Sequence, residues 1–293
     1  NIESWKSEML YQNDNGINIS DISEDETWFA FSQIITTSEN KLFLTNRNNN
    51  STIELSERPG SYSASGFSKD NKYFFYITDV DKEFSYLVKY DIKTKEKEIL
   101  FETKWDVMYS YLSENETYRV IAVNEDGKNT LIIKDLTNNS EIYFPKIDDG
   151  DIKAVSFSKS EEKMRLTIGT SKSPNDLYVY NIVNKKLKRL TKSLNPEINP
   201  DDLVAAEVVR YSSFDGLQIP AIYYKPLIAN QKNKVPALIW VHGGPGGQSR
   251  RGYSPLIQYL VNHGYAILAV NNRGSSGYGK TFFKMDDLNH GDK

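Results

Sequence analysis

The sequence predicts two folds in series. Residues 1–194 read as an incomplete β-propeller of four-stranded blades, residues 195–206 as a linker, and residues 207–293 as the opening part of an α/β domain. Three observations predict this. Strand and turn signals recur every 45 residues, a proline-bearing break ends the recurrence, and two Gly-rich loops each stand directly behind a short apolar run.

The repeat is anchored by Ser23, Ser68, Ser113 and Ser158, which are 45 residues apart each time. Each follows an apolar residue (Ile22, Phe67, Leu112, Phe157) and precedes a polar turn such as Lys69-Asp70-Asn71. An alternating strand comes next, for example Tyr73 to Thr78. A further strand begins near Leu42, Leu87, Leu131 and Leu177 and ends at Asn46, Asp91, Asp135 and Asn181. A last short strand closes each unit: Ile53 to Leu55, Glu98 to Leu100, Ile142 to Phe144, Lys188 to Leu190. Four short strands in a unit of about 40–50 residues, rich in Tyr, Phe, Ile and Val, read as a propeller blade. Solenoid units of this length are usually helical, and no helical period runs through residues 20 to 192. The repeated serines read as turn-stabilising hydroxyls rather than nucleophiles. Four units and a partial strand set in residues 1 to 19 are visible. An open ring would expose unpaired edges, so further blades are expected upstream of Asn1.

Composition narrows the function. A net charge of −3 with no basic stripe argues against a nucleic-acid partner. No apolar run approaches the length of a membrane-spanning helix, so no membrane partner is expected. With no cysteine, disulfides and thiol catalysis are excluded. The three histidines, His242, His263 and His290, are too scattered for a metal centre. No cofactor and no metal are expected. Oligomeric state stays open, as does compartment, whether cytoplasmic, periplasmic or secreted.

Asn195-Pro196-Glu197-Ile198-Asn199-Pro200 marks the linker. A short helix is expected at 201–206, capped by Asp201 or Asp202. Beyond it Val208 to Phe214 and Gln218 to Tyr224 form a hairpin about the Asp215-Gly216 turn. Val235 to Val241 alternates little, as a strand buried on both faces does. Ser254 caps a helix running to His263, with Pro255 at its first position and Leu256, Tyr259 and Leu260 on one face; Gly264 follows in the left-handed position. Tyr265 to Asn271 is another buried strand. Strand, helix, strand implies a parallel pair with a right-handed crossover.

The chemistry concentrates in the two loops. His242-Gly243-Gly244-Pro245 stands after one buried strand and before the helix. Glycines there let backbone N–H groups turn into a cleft and meet the oxyanion of a tetrahedral acyl intermediate. A His-Gly-Gly stretch in this context supplies one such donor in α/β-hydrolases. His242 itself reads as a shaper of the loop, with its ring hydrogen-bonded locally, and His263 and His290 read as solvated. The second loop, Asn271 to Gly279, lacks the spacing of a phosphate loop. It also fails the Gly-x-Ser-x-Gly spacing of a nucleophile elbow, which no window of the chain satisfies.

At these residues the chain resembles the prolyl oligopeptidase family of serine peptidases, in its acylaminoacyl-peptidase and dipeptidyl-peptidase-like branch. The resemblance rests on His242 to Gln248, on Asn272-Arg273-Gly274-Ser275-Ser276-Gly277-Tyr278-Gly279, and on the hairpin from Ser213-Phe214-Asp215-Gly216 to Tyr224-Lys225-Pro226. It extends to Phe282-Phe283 and the stretch His290-Gly291-Asp292. The resemblance implies an α/β-hydrolase domain, truncated here, and hydrolysis of short peptides through a covalent acyl-enzyme. It assigns the oxyanion loop to Gly244 with Gly243 beside it. His242, Pro245, Arg273 and Tyr278 then shape the substrate site, Arg273 facing either an acidic group or a peptide carboxylate. It also implies that the catalytic serine, aspartate and histidine lie beyond Lys293 and that this chain by itself is inactive. The rival reading is a propeller binding module joined to a non-catalytic hydrolase remnant.

Overall fold

The computed structural model describes residues 5, 7, 9–13, 15–145 and 147–288. Four consecutive four-stranded antiparallel sheets bear out the propeller reading. The first holds β1 (Ile17–Ile22), β2 (Trp28–Ile34), β3 (Asn40–Asn46) and β4 (Thr52–Glu54); the second β5 (Tyr62–Phe67), β6 (Tyr73–Thr78), β7 (Tyr86–Asp91) and β8 (Lys97–Phe101). The third holds β9 (Asp106–Leu112), β10 (Tyr118–Glu125), β11 (Lys128–Asp135) and β12 (Ser140–Glu141); the fourth β13 (Asp151–Phe157), β14 (Lys163–Gly169), β15 (Asp176–Asn181) and β16 (Lys186–Arg189).

Local chemistry explains the repeat. In each sheet the serine oxygen accepts from the backbone N–H five residues on: Trp28, Tyr73, Tyr118 and Lys163. The residue that closes the turn is left-handed every time, at Glu26, Asn71, Glu116 and Glu161, with φ between 55° and 58°. These side-chain bonds satisfy backbone donors that a tight turn would otherwise strand. Each sheet's first strand also carries a bulge, at Ser20, Ser65, Met108 and Lys153. The last strand of the third sheet lies two residues earlier than expected, because Asn138 caps the turn onto Ser140.

The chain forms two compact units, Asn1–Val80 with Val88–Glu98, and Asp81–Leu87 with Ile99–Lys293. The first buries Ala30, Leu42, Leu44 and Phe74 completely. The second has a core of Tyr118, Val120, Ile133, Val155, Met164 and Leu166. It also holds a fifth, mixed sheet of β17 (Ala206–Ser212), β18 (Gln218–Tyr224), β19 (Ala237–Val241) and β20 (Ala266–Val270), in the order β17-β18-β20-β19. β19 and β20 are parallel, as the strand–helix–strand order implies, and the connecting helix is α1 (Pro255–Asn262). Ile222, Tyr224, Ile267 and Ala269 pack with Ile257 and Val261 of α1 on one face; Ile219, Val270 and Phe282 pack on the other. Burying a side chain such as Ile267 or Ile222 contributes about 1.5–3 kcal/mol.

Several expectations for this region are corrected. The linker forms a 3-10 turn at Pro200–Asp202, not a helix at 201–206; Asn199 caps it, because its side chain accepts from the Asp201 N–H. β17 starts and stops two residues earlier than expected, since Ser213 already accepts the Gly216 N–H of the turn. α1 buries Ile257, Gln258 and Val261, while Leu256 and Tyr259 are exposed. Gln258 is tolerated inside because its amide donates to Ser171 O and Val204 O and accepts from Val204 N. Most consequentially, β19 is not buried on both faces. Among the described residues only β20 pairs with it, and Ile239 and Val241 are 62% and 68% exposed.

An apolar open edge of this kind favours self-association. Replacing Ile239→Lys and Val241→Lys together should reduce dimer formation and hydrophobic-dye binding by the chain without changing its circular dichroism. Unchanged dye binding would locate the adhesive surface elsewhere.

Candidate active-site loops

β19 ends at Val241 and the chain turns at once into the first Gly-rich loop. Gly243, Gly244 and Pro245 are exposed. Among the described residues, neither the Gly243 nor the Gly244 N–H has an acceptor. The loop is nevertheless held. His242 Nδ1 donates to Gly243 O at 2.9 Å, since a carbonyl can only accept, and Nε2 lies 2.9 Å from Ser275 Oγ. Ser275 is fully buried, and its hydroxyl, with one proton to give, lies between His242 Nε2 and Asn272 O, the latter at 2.6 Å. The His242–Ser275 pair therefore ties the two loops together rather than exposing a nucleophile. Ser276 N–H adds a second tie, to Gly247 O at 3.1 Å.

The second loop is largely buried, Asn272 excepted. Asn271, with no exposure, is its hub. Its oxygen accepts from Ser249 N at 2.6 Å, and its amide donates to Ser249 O at 3.0 Å and to the Tyr278 hydroxyl at 2.9 Å. The Tyr278 ring meets Phe282 and Trp105 edge-on. Burial pushes its phenol up to about 12, so it stays neutral and can hydrogen-bond but not act as a base near neutrality. Gly277 (φ 84°) passes so close to the amides of Asn124 and Gln248 that a Cβ would collide with both. Those two amides bond each other at 2.9 Å.

Arg273 is 8% exposed and grips the β17–β18 turn. Its guanidinium donates to both Asp215 oxygens at 2.6 and 2.7 Å and to Ser213 Oγ at 3.2 Å, and lies over the Phe214 ring at 5.0 Å. Both motifs were legible in the sequence; their pairing was not. The Arg273 hydrogen bonds hold the Asp215 carboxyl below its usual value, helped by the Leu217 N–H. A depressed carboxyl contributes stability that is complete above the unfolded value of about 3.9 and is lost as pH falls through the lower folded value. The stability gap between wild type and Asp215→Asn should be constant above about pH 5 and narrow below about pH 4, as read by thermal melts. A gap independent of pH would overturn this.

Of the other histidines, His263 Nδ1 lies 2.8 Å from Tyr259 O on an exposed helix end. His290, with the rest of the Gly291-Asp292 stretch and Lys293, lies outside the described residues. The hub Asn271 and its partner Ser249 were missed by sequence reasoning, as was the Asn124–Gln248 pair. Nothing in the local pattern separates a buried asparagine from a turn asparagine.

No protein-family model matches the chain. It is 26% identical over 238 residues to a protein of Caenorhabditis elegans named dipeptidyl peptidase family member 6, covering 73% of this chain and 32% of that protein. It is 35% identical over 74 residues to the acylamino-acid-releasing enzyme of Sus scrofa, covering 25% of this chain and 10% of that enzyme. A solved prolyl endopeptidase structure superposes with a TM-score of 0.76 at 16% identity, over 91% of this chain and 39% of that one. That likeness is one of fold. The chain spans about a third of the length of the dipeptidyl peptidase relatives it matches.

Proposed function

We propose, for a chain whose homologues are peptidases of the prolyl oligopeptidase family, that it supplies the oxyanion half of a serine peptidase acting on short peptides. In this reading residues 1–194 are propeller blades, 195–206 the linker and 207–293 the first part of an α/β-hydrolase domain. A serine nucleophile attacks the peptide carbonyl, a histidine takes its proton, and negative charge gathers on the carbonyl oxygen. The Gly244 N–H, with Gly243 beside it, donates to that oxygen. Such a donor lowers the barrier by about 2.7–4 kcal/mol. His242 and Pro245 set the curvature of this loop; Arg273 and Tyr278 shape the wall behind it. The triad belongs to the length that the relatives have in excess of this chain, which has no Gly-x-Ser-x-Gly window and is inactive by itself.

The observation that carries this is the pair of exposed backbone donors without acceptors among the described residues, directly behind a strand parallel to its neighbour. The test is reaction of the full-length protein with a fluorophosphonate probe, together with turnover of short peptides. Covalent labelling with turnover supports the reading. A full-length protein that does not label is instead a propeller binding module with a non-catalytic remnant.

A further inference from the structure

We infer that the cavity between β13, the end of β14 and the segment Arg250–Ile257 is a carboxylate site, and that it takes the free C-terminus of a short peptide. This rests on the peptidase reading for its choice of ligand. The cavity has a volume of 420 Å³, and Arg250, Arg251, Lys153 and Asp151 line it. That size suits a small ligand or the end of a peptide.

Its charges are unevenly matched. Lys153 pairs with Asp151, and Arg251 pairs with Asp149. Arg250 has no carboxylate within ion-pair distance among the described residues. Its Nη1 donates to Gln248 Oε1 at 3.1 Å and points at Met108 Sδ at 3.7 Å; its Nη2 donates to Asn129 Oδ1 at 2.5 Å. All three acceptors are neutral. A guanidinium has five N–H groups, so the Nε–H and one Nη2–H remain. A carboxylate that reaches both would be held by two charge-assisted bonds. Arg251 stands beside it with its Nη2 engaged by Asp149 and its Nε sealed from the cavity.

Arg250, with two N–H donors left over on the cavity wall and Arg251 beside it, describes an anion site. Burial pulls Arg250 below the usual guanidinium range, and the nearby Asp151 charge offsets this only in part. An anion in the cavity would offset that cost. Asp151 on the same wall disfavours a dianion such as phosphate and suits a ligand that brings one negative charge and amide donors. Arg250 also stands in the same loop as Gly243 and Gly244, a few residues on, and shares Gln248 with the amide of Asn124. A peptide with its C-terminus on Arg250 would therefore be anchored six residues along the chain from the glycine proposed to face the scissile carbonyl.

The test is titration calorimetry of the chain with the tripeptide Gly-Ala-Phe, its C-terminal amide, and inorganic phosphate. The acid should bind at least about tenfold tighter than the amide, as expected for charge-assisted hydrogen bonds. Arg250→Gln should erase that preference and Arg250→Lys keep part of it, with unchanged circular dichroism in both. Equal binding of acid and amide, binding of neither, or binding of phosphate alone would overturn the site. Its failure is separable from that of the peptidase reading. A full-length protein that labels with fluorophosphonate but shows no acid preference loses only this site. One that fails to label but keeps the preference loses only the peptidase chemistry.

Discussion

Gly247→Ala should displace the first Gly-rich loop and, in the full-length protein, lower kcat/KM for a short peptide by about 100-fold or more. A Cβ at this position would overlap the Gly243 carbonyl oxygen and come within 2.6 Å of His242 Nδ1. Neither neighbour is the free end of a flexible side chain. The carbonyl belongs to the very peptide whose N–H is donated by Gly244, so moving it re-aims the oxyanion donor. His242 cannot retreat either, since its ring is held between Gly243 O and Ser275 Oγ. The loss should fall mainly on kcat, because the donor acts on charge that develops only in the transition state. Gly243→Ala is the control: open space surrounds that position, and it should cost much less. Equal effects of the two substitutions, or a loss confined to KM, would overturn this account.

Asn271→Ala should destabilise the second unit by about 3 kcal/mol, measured by chemical denaturation. The substitution removes a fully buried amide that makes three hydrogen bonds. It strands the Ser249 N–H and carbonyl where water does not reach, and deletes the donor to the Tyr278 hydroxyl. Unsatisfied buried groups of this kind cost about 1–3 kcal/mol each. Tyr278→Phe deletes only one bond of the set and should cost about 1 kcal/mol. If Asn271→Ala proved no worse than Tyr278→Phe, the hub role would be wrong.

How much of this was legible beforehand follows the range of the interactions. Each blade turn is closed by atoms within five residues of each other, such as Ser68 Oγ and Tyr73 N. A 45-residue spacing of serines is thus a direct trace of the fold. The capping of α1 by Ser254 and the left-handed Gly264 are equally local, and both Gly-rich loops were found from their position behind apolar strands. The parallel pairing of β19 and β20 followed from the order of elements alone.

What the sequence by itself determined, then, is the blade architecture, the strand–helix–strand order and the identity of the two loops, because short-range hydrogen bonds and hydrophobic period are written in adjacent residues. Tertiary structure alone decided which strand edge is uncovered among the described residues and which face of α1 was buried. An apolar strand has one composition whether a neighbour covers it or not. It also decided that Arg273 would meet Asp215 across 58 residues of chain, that His242 would meet Ser275 across 33, and that Arg250 would face a cavity with two donors unfilled. Such pairings depend on which segments the fold brings side by side, and no local pattern records that.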